Sequence, residues 1–255
     1  MKKHLLFELF SVTKYPLLFV IICWGIFTIN LKWSLGIYEL GISPRTLSGL
    51  KGVVFSPFIH VDFGHVLNNT FPILILGSII FYFYKTIAWP IIFWIYLISG
   101  FWLWVGGRNN DIIPNYHFGA STLIYGFSTF IFFSGIFRRH KSLMLISAFV
   151  VFMYGSIVYG IFPIDTKISW EGHLFGALSG VLVAYTYRKE GTQAKVYEWP
   201  DEEIDLEGIY EEQLKTQEIQ AESQIDSIDF NTQNEIEIIY HFKQTKDTHL
   251  NGSNN

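Results

Sequence analysis

Long apolar runs without a charged residue restrict the fold of this chain more than any other feature of its sequence. Four such runs, each 17 to 21 residues long, cover 15–31, 86–105, 118–137 and 142–162. A helix needs roughly 20 apolar residues to cross a hydrocarbon core of ~30 Å, so each run is long enough to span a bilayer. Two more runs, 60–84 and 170–187, are apolar except for a few polar residues near their starts. The sequence therefore predicts an all-α, polytopic membrane protein with six transmembrane helices.

Charged residues divide the chain into a membrane part and a tail. Residues 1–189 contain 14 Lys and Arg against 6 Asp and Glu, whereas residues 190–255 contain 4 against 16. Only 16% of the whole chain is charged, compared with about 25% in soluble domains, which argues against an ordinary cytosolic enzyme. We expect a membrane domain over 1–189 and an acidic, disordered cytoplasmic tail over 190–255, with short amphipathic segments near 209–219 and 235–242.

Basic residues in the loops predict the orientation in the membrane. If the N-terminus is inside, nine Lys and Arg flank the inner ends of the spans and five flank the outer ends. Cytoplasmic loops carry the excess of Lys and Arg, and the short run Arg138, Arg139, His140 and Lys141 supplies three of the nine. Both termini are therefore expected in the cytoplasm, and the membrane is the plasma membrane if the source is prokaryotic.

Three groups of polar residues lie inside the predicted spans, where ionisable groups are costly and usually face the bundle interior or a cavity. The first group is at the outer end of the second span and contains His60, His65 and Asn69. On a helix, His65 and Asn69 are four residues apart and share a face, and His60 lies about one turn higher. An imidazole and an amide on one face are neutral hydrogen-bond donors, which suits an oxyanion site.

The second group opens the fourth span. Ser121 and Tyr125 are four residues apart, so they lie on one helix face. The small residues Gly119 and Ala120 before them let another backbone approach the serine closely. Backbone N–H groups at a helix start have no acceptor within the helix, so this group combines a hydroxyl with donors for a developing oxyanion.

The third group opens the sixth span. Gly172, Gly176 and Gly180 form two overlapping steps of small residues, a pattern typical of tight helix packing in membranes. His173 lies beside this stripe, so we expect its ring to lean across the contact with a neighbouring helix.

Taken singly, a serine or histidine inside a span is usually structural. Because the three groups all lie at outer ends of their spans in the predicted topology, we interpret them as one polar site in which Ser121 and His173 meet. His117, in the loop before Ser121, is a second candidate for the base, but its position is more typical of a residue at the membrane interface. Asp165 is the remaining candidate for a third member of a triad.

With these motifs in this order, residues 15–189 resemble the rhomboid intramembrane serine proteases. The resemblance implies a six-helix rhomboid-like bundle and leaves the acidic tail outside it. The motifs that carry it are His60-x4-His65-x3-Asn69, Gly119-x-Ser121-x3-Tyr125-Gly126 and His173-x2-Gly176-x3-Gly180.

The resemblance implies a role for each matched residue. Ser121 would be the nucleophile and His173 the general base of a Ser–His dyad. His65 and Asn69 would stabilise the oxyanion together with the Ser121 N–H. The supporting residues, which shape the oxyanion pocket or pack near the base, would be His60, Gly119, Tyr125 and Gly176.

Two positions depart from the family pattern. Thr122 stands where a glycine commonly follows the serine, which would tighten the site or alter the preference for the substrate side chain. The long outer connection 32–59 is similar to the family's membrane-embedded loop, but Pro44 precedes Arg45 where a Trp–Arg pair is often found. Neither departure removes a group that the chemistry requires.

The implied activity is that of an intramembrane serine endopeptidase that cuts single-pass membrane proteins in the lipid bilayer, with no nucleic-acid partner. We expect no metal or cofactor, because the sequence has no His-Glu-x-x-His run and a single cysteine, Cys23. One alternative is a non-catalytic rhomboid-like protein that binds membrane helices for retention or degradation. Another is a transporter or metal-handling protein that gathers four histidines, His60, His65, His117 and His173.

Overall fold

The structure is a computed structural model that describes residues 2–110, 114–154, 159–164, 168–191 and 206–226. Its helices are α1 (Lys2–Trp33), α2 (Gly52–Phe55), α3 (Phe63–Phe83), α4 (Ala88–Gly106), α5 (Ser121–Phe137), α6 (Lys141–Tyr154), α7 (Trp170–Thr186) and α8 (Leu206–Asp226). Extended pairing within these described ranges is limited to one bridge, between Ile42 and His117. The fold is therefore all-α, as the sequence predicts.

Each of the six predicted spans overlaps one helix of at least 14 residues. By length and composition, α1, α3 and α4 can cross a membrane, and α5 is a shorter apolar helix of 17 residues. The helix α6 covers the first part of the predicted span 142–162, of which residues 155–158 lie outside the described ranges. The chain is therefore an integral membrane protein with three clear spanning helices among the residues described.

Helix α5 lies at the centre of the bundle, in contact with α3, α4, α6 and α7. Ten of its 17 residues are buried, and Phe130 and Ile131 have no exposed surface. The six consecutive residues 123–128 are all buried and cover more than one helical turn, so this part of the helix is enclosed on every side. The first residue of α5, Ser121, is therefore surrounded by other elements of the bundle.

Glycines allow α5 and α7 to approach closely. A Cβ at Gly176 would lie 2.2 Å from the carbonyl oxygen of Thr122, and a Cβ at Gly180 would lie 2.1 Å from that of Gly126. The two backbones therefore touch only where side chains are missing, as expected for a small-residue stripe. We call the contact of Gly176 and Gly180 with Thr122 and Gly126 the α5–α7 seam.

The long connection between α1 and α3, residues 34–62, is folded and anchored to the end of α4. It contains three short 3₁₀ turns and the single-turn helix α2. Arg45 donates from its guanidinium to the Gly107 carbonyl at 2.8 Å, and Trp104 donates from its indole to the Thr46 carbonyl at 2.9 Å. A tryptophan of α4 thus anchors a loop that lacks the Trp–Arg pair in its own sequence.

Residues 197–255 form a unit separate from residues 1–196. Within it the structure describes α8, where almost every described side chain is exposed. The amphipathic segment expected near 209–219 falls in this helix, whereas the one near 235–242 lies outside the described residues. A tail that starts at residue 190 and is disordered stays a prediction.

Candidate active site

Ser121 begins α5 after a turn that favours glycine. Gly119 has a φ of +107°, which side chains rarely adopt, and a Cβ there would lie 2.5 Å from His65 Nε2. The Gly119 N–H donates to the Ser56 carbonyl at 2.9 Å, so the turn is also tied to the anchored loop. The glycine therefore brings the start of α5 against α3 with no side chain between them.

His173 lies in the first turn of α7 and packs flat against Tyr125. Ser169 caps α7 by accepting a hydrogen bond from the Gly172 N–H at 3.3 Å. The rings of His173 and Tyr125 are stacked, with centroids 4.1 Å apart and an interplanar angle of 9°. Tyr125 is one turn after Ser121 on the same face of α5, so the stacking holds the imidazole beside the serine.

The two ring nitrogens of His173 have different partners. Nε2 lies 3.0 Å from Ser121 Oγ, and Nδ1 lies 2.9 Å from the carbonyl oxygen of Gly160. A carbonyl can only accept, so Nδ1 carries the proton and donates it. Nε2 then has the lone pair that accepts from the serine hydroxyl, which is the tautomer that a general base needs.

The sequence offered no signal for the Gly160 contact, because a backbone carbonyl in a connecting segment leaves no residue pattern. Asp165, the candidate third member of a triad, lies outside the described residues. In the described part of the site, the atom that accepts from His173 Nδ1 is a backbone carbonyl oxygen, whereas a triad would have a carboxylate there.

His65 and Asn69 face the start of α5 from one side of α3. His65 Nε2 and Asn69 Nδ2 lie 2.5 Å and 3.7 Å from the point where a Gly119 Cβ would be. Asn69 donates from Nδ2 to His60 Nε2 at 3.0 Å, which uses one of the two amide hydrogens. Asp62 caps α3 by accepting from the His65 N–H at 2.8 Å. His60 is buried behind the asparagine and holds it in place.

A cavity of about 570 Å³ opens around these groups. Its volume lies within the range of about 300–1,000 Å³ that is common for ligand pockets. Polar side chains of α3, α5 and α7 line its wall, together with those of Asp62, Tyr116, His117 and Ser169 from the segments before these helices. The three groups singled out in the sequence therefore share one cavity. The polar wall residues that the sequence analysis named are His65, Asn69, His117, Ser121, Tyr125 and His173.

Comparison with known families identifies the family of this chain. A family model for the rhomboid domain matches residues 48–190, which is more than half of the chain. This protein belongs to the rhomboid family. The matched region contains every residue that the sequence analysis proposed for the site.

The rhomboid chain is also similar to several curated proteins, each of which is named an uncharacterized protein. Those of Mycobacterium tuberculosis and Mycobacterium bovis are each 38% identical over 155 residues, which covers 57% of this chain and 62% of theirs. One of Mycobacterium leprae is 36% identical over 141 residues, which covers 53% of this chain and 55% of the relative. The chain thus matches less than two thirds of the length of these relatives.

In this rhomboid, Thr122 packs into the α5–α7 contact. Its Oγ1 lies 3.0 Å from the point where a Cβ of Gly172 would be, and Thr122 does not belong to the described cavity wall. The extra volume at the position after the serine is therefore accommodated by the glycine at the start of α7.

A buried polar network that sequence reasoning missed ties the start of α7 to the loop before α5. Glu171 is only 3% exposed, and its Oε1 lies 2.5 Å from Arg108 Nε and accepts from the Arg108 N–H at 3.2 Å. His117 donates from Nε2 to the Arg108 carbonyl at 2.9 Å, and its Nδ1 accepts from the Ser169 hydroxyl at 2.6 Å. The network therefore links the residue that caps α7 to an ion pair next to His173.

His117 is a buried structural residue in this rhomboid, not an interfacial one. Both of its ring nitrogens are engaged by the network, so neither is available as a base for the serine. Its backbone N–H and carbonyl also pair with Ile42 at 2.8 Å each. Burial lowers the pKa of the His117 imidazole, which favours the neutral ring that this bonding pattern requires.

Proposed function

We propose that this rhomboid is an intramembrane serine endopeptidase with Ser121 as nucleophile and His173 as general base. The observation that carries the proposal is the 3.0 Å contact between Ser121 Oγ and His173 Nε2. The hydrogen bond from His173 Nδ1 to Gly160 supports it, because it leaves Nε2 unprotonated and aimed at the hydroxyl.

In the proposed reaction, Ser121 Oγ attacks the carbonyl carbon of the scissile bond while His173 Nε2 takes the hydroxyl proton. The imidazolium then gives this proton to the leaving amine nitrogen as the C–N bond breaks, which leaves an ester on the serine. Water attacks the ester carbon, its proton passes to Nε2, and the serine oxygen leaves and regains that proton. The Gly160 carbonyl accepts from Nδ1–H throughout and stabilises the charged ring.

His65, Asn69 and the Ser121 N–H are proposed to hold the oxyanion that forms on the carbonyl oxygen. His60 takes one amide hydrogen of Asn69, so the second remains for a ligand in the cavity. A single donor of this kind is worth about 3–4 kcal/mol in a transition state. Such a contribution explains how a Ser–His pair can catalyse hydrolysis when a backbone carbonyl, and not a carboxylate, bonds to the histidine.

We also propose that α5, α6 and α7 cross the bilayer in addition to α1, α3 and α4. The membrane domain would then have six spans over residues 1–189, with a solvated acidic tail after it. The loop charges favour cytoplasmic termini, in the plasma membrane of a prokaryote. The cavity would then lie near the outer leaflet.

The proposed substrates are single-pass membrane proteins cut in or near the transmembrane segment. A helix in the bilayer has its backbone groups bonded internally, so its peptide bonds are accessible only where it unwinds. We therefore expect small or helix-breaking residues near the cleaved bond.

The test is cleavage of a single-span substrate protein by the purified full-length chain, in detergent and in proteoliposomes. Ser121→Ala and His173→Ala should each abolish the cleavage products seen by mass spectrometry. Ser128→Ala is the matched control, because this serine is buried in the same helix and is not on the described cavity wall. It should leave cleavage unchanged.

The same experiment separates the alternatives. Cleavage by Ser121→Ala at the wild-type rate would overturn the proposal. A wild-type protein that never cleaves but retains the substrate helix in co-purification would indicate a non-catalytic binder. Stoichiometric bound metal that is lost in His65→Ala would indicate the metal-handling alternative.

A further inference from the structure

A second cavity, of about 260 Å³, lies between α1 and α4 and shares no wall residue with the active-site cavity. One wall consists of α1 residues around Phe19, the other of α4 residues around Ile92. Its floor is formed by α3 and by Leu123 and Phe127 of α5. We call this cavity the α1–α4 groove.

The groove exists because α1 packs on α3 at a glycine and leaves α4 apart from it. A Cβ at Gly77 of α3 would lie 2.8 Å from Pro16 Cγ of α1, so the two helices are close there. The rim residues Leu18 and Trp89 are more than half exposed. All three helices around the groove are long and apolar enough to cross a membrane, so it opens toward the hydrocarbon of the bilayer.

One end of the groove has the residues of a membrane interface. Tyr15, Phe81 and Trp89 form a cluster with ring centroids 4.9 to 5.2 Å apart. Tyrosine and tryptophan are enriched at the level of the lipid headgroups. The ammonium of Lys14 lies 4.8 Å from the centre of the Tyr15 ring, which places a positive charge at the mouth of the groove.

A second lysine near the groove, and the residues at its opposite end, indicate how a ligand would be oriented. Lys85 is already paired with Glu8 at 3.4 Å, so Lys14 carries the charge best placed for an anionic group. At the far end, Tyr96 lines the groove and its hydroxyl donates to the Val54 carbonyl. The groove is therefore cationic at its aromatic end and apolar along its length.

We propose that the α1–α4 groove binds one acyl chain of an anionic phospholipid, with the phosphate next to Lys14. The groove opens on hydrocarbon, and apart from Tyr15, Trp89 and Tyr96 its described lining is apolar, which selects an acyl chain. The lysine beside the aromatic cluster selects a negative headgroup, since a basic residue near a membrane surface attracts anionic lipid. The proposal goes beyond the protease function and does not depend on it.

The experiment is native mass spectrometry of the full-length protein after exchange into an equimolar mixture of phosphatidylglycerol and phosphatidylcholine with identical chains. We expect one retained lipid per protein, with phosphatidylglycerol favoured over phosphatidylcholine about fivefold. This factor corresponds to roughly 1 kcal/mol per surface cation. Lys14→Gln should bring this ratio to about one. Lys32→Gln is the matched control, because its ammonium also lies over an aromatic ring, that of Trp33 at 4.6 Å, but at the other end of α1.

A second pair of variants tests the groove itself. Ile22→Trp puts a large ring into the groove and should remove both lipids. Ile75→Trp is the control: it is 42% exposed, against 41% for Ile22, and is not a groove residue. Equal retention of the two lipids by the wild type, no lipid retained at all, or equal retention by Ile22→Trp and Ile75→Trp would each overturn the proposal. Cleavage activity of the same samples reports separately on the protease function.

Discussion

The two ends of the helix pair α5 and α7 differ in how their polar groups are bonded. At the Ser121 end, polar side chains surround a cavity of about 570 Å³. At the other end, Tyr84, Ser134 and Arg138 are all buried. There the Tyr84 hydroxyl donates to Ser134 Oγ at 2.9 Å, and Arg138 donates to that oxygen and to the Glu190 carbonyl at 2.5 Å. At this end, which we call the sealed end, the hydroxyls and both terminal nitrogens of Arg138 bond within the protein, and only Arg138 Nε lacks a partner among the described residues. The cavity end instead presents donors to a ligand.

This difference predicts that rate and stability respond to different residues. A hydrogen bond inside the protein contributes about 0.5–1.5 kcal/mol to folding. A donor aimed at a reacting oxygen contributes about 3–4 kcal/mol to the transition state and little to folding. Substitutions at the cavity end should therefore slow cleavage, and those at the sealed end should lower stability alone.

Apart from loss of Ser121 or His173 themselves, the largest effect is expected at the cavity end, from Asn69→Ala. Loss of this donor should lower kcat about 10²–10³-fold with little change in KM, because the oxyanion forms only after the substrate is bound. Steady-state cleavage of a single-span substrate measures both constants. Asn68→Ala removes an amide from the next residue, which is exposed on the same cavity wall, and should change kcat only a few-fold. Equal losses in the two variants would contradict the assignment.

The next effect concerns the α5–α7 seam that joins the two ends. Gly176→Ala and Gly180→Ala would each force a methyl group against a backbone carbonyl at about 2 Å, so we expect each to cost roughly 1–3 kcal/mol of unfolding free energy and to reduce cleavage. Thermal unfolding in detergent measures the first and a cleavage assay the second. Gly25→Ala is the control, because no described atom lies within 4 Å of its added Cβ. A Gly176→Ala protein as stable as Gly25→Ala would show that the seam is not close-packed.

A smaller effect is expected at the sealed end, from Tyr84→Phe. The variant keeps the buried ring and removes the hydroxyl that donates to Ser134, so the unfolding free energy should fall by about 0.5–1.5 kcal/mol. The kcat should not change, since this hydroxyl does not face the cavity. Tyr82→Phe, at an exposed position in the last turn of α3 just before Tyr84, should leave both quantities unchanged. A slower reaction in Tyr84→Phe would mean that the two ends are coupled.

The smallest effect is the pH dependence contributed by His117. Burial lowers its pKa in the folded protein from the ordinary value of 6.5, against the opposing effect of the nearby Glu171. The unfolded chain therefore binds the proton more readily, so the contribution of His117 to stability is complete above pH 6.5 and is lost as the pH falls through the folded-state pKa. Unfolding of wild type and His117→Asn between pH 8 and pH 5 should show a steeper loss in the wild type. Parallel curves would contradict this account.

Helical spacing carries most of what the sequence could predict about the site. Residues four apart share a helix face, and this rule applies to Ser121 with Tyr125 and to His65 with Asn69. A glycine stripe beside His173 indicated that its helix packs tightly. Together with apolar runs of membrane length, these patterns were sufficient to predict an all-α membrane protein and the residues that surround one cavity.

The remaining contacts could not be predicted because they join distant or patternless groups. The Gly160 carbonyl oxygen that accepts a hydrogen bond from His173 Nδ1 is a backbone atom. Glu171 and Arg108 are 63 residues apart in sequence. Arg138 has the pattern of a solvated loop charge, yet it is only 3% exposed, because its long side chain reaches the carbonyls at the end of α7.

The central claim is that His173 activates Ser121, and labelling with a fluorophosphonate tests it most directly. Mass spectrometry of the intact, full-length protein, followed by peptide mapping, would locate the adduct. We predict a single adduct on Ser121 in the wild type and in Tyr84→Phe, and none in His173→Ala over the same time. An adduct on a different residue, or labelling of His173→Ala at the wild-type rate, would contradict the account.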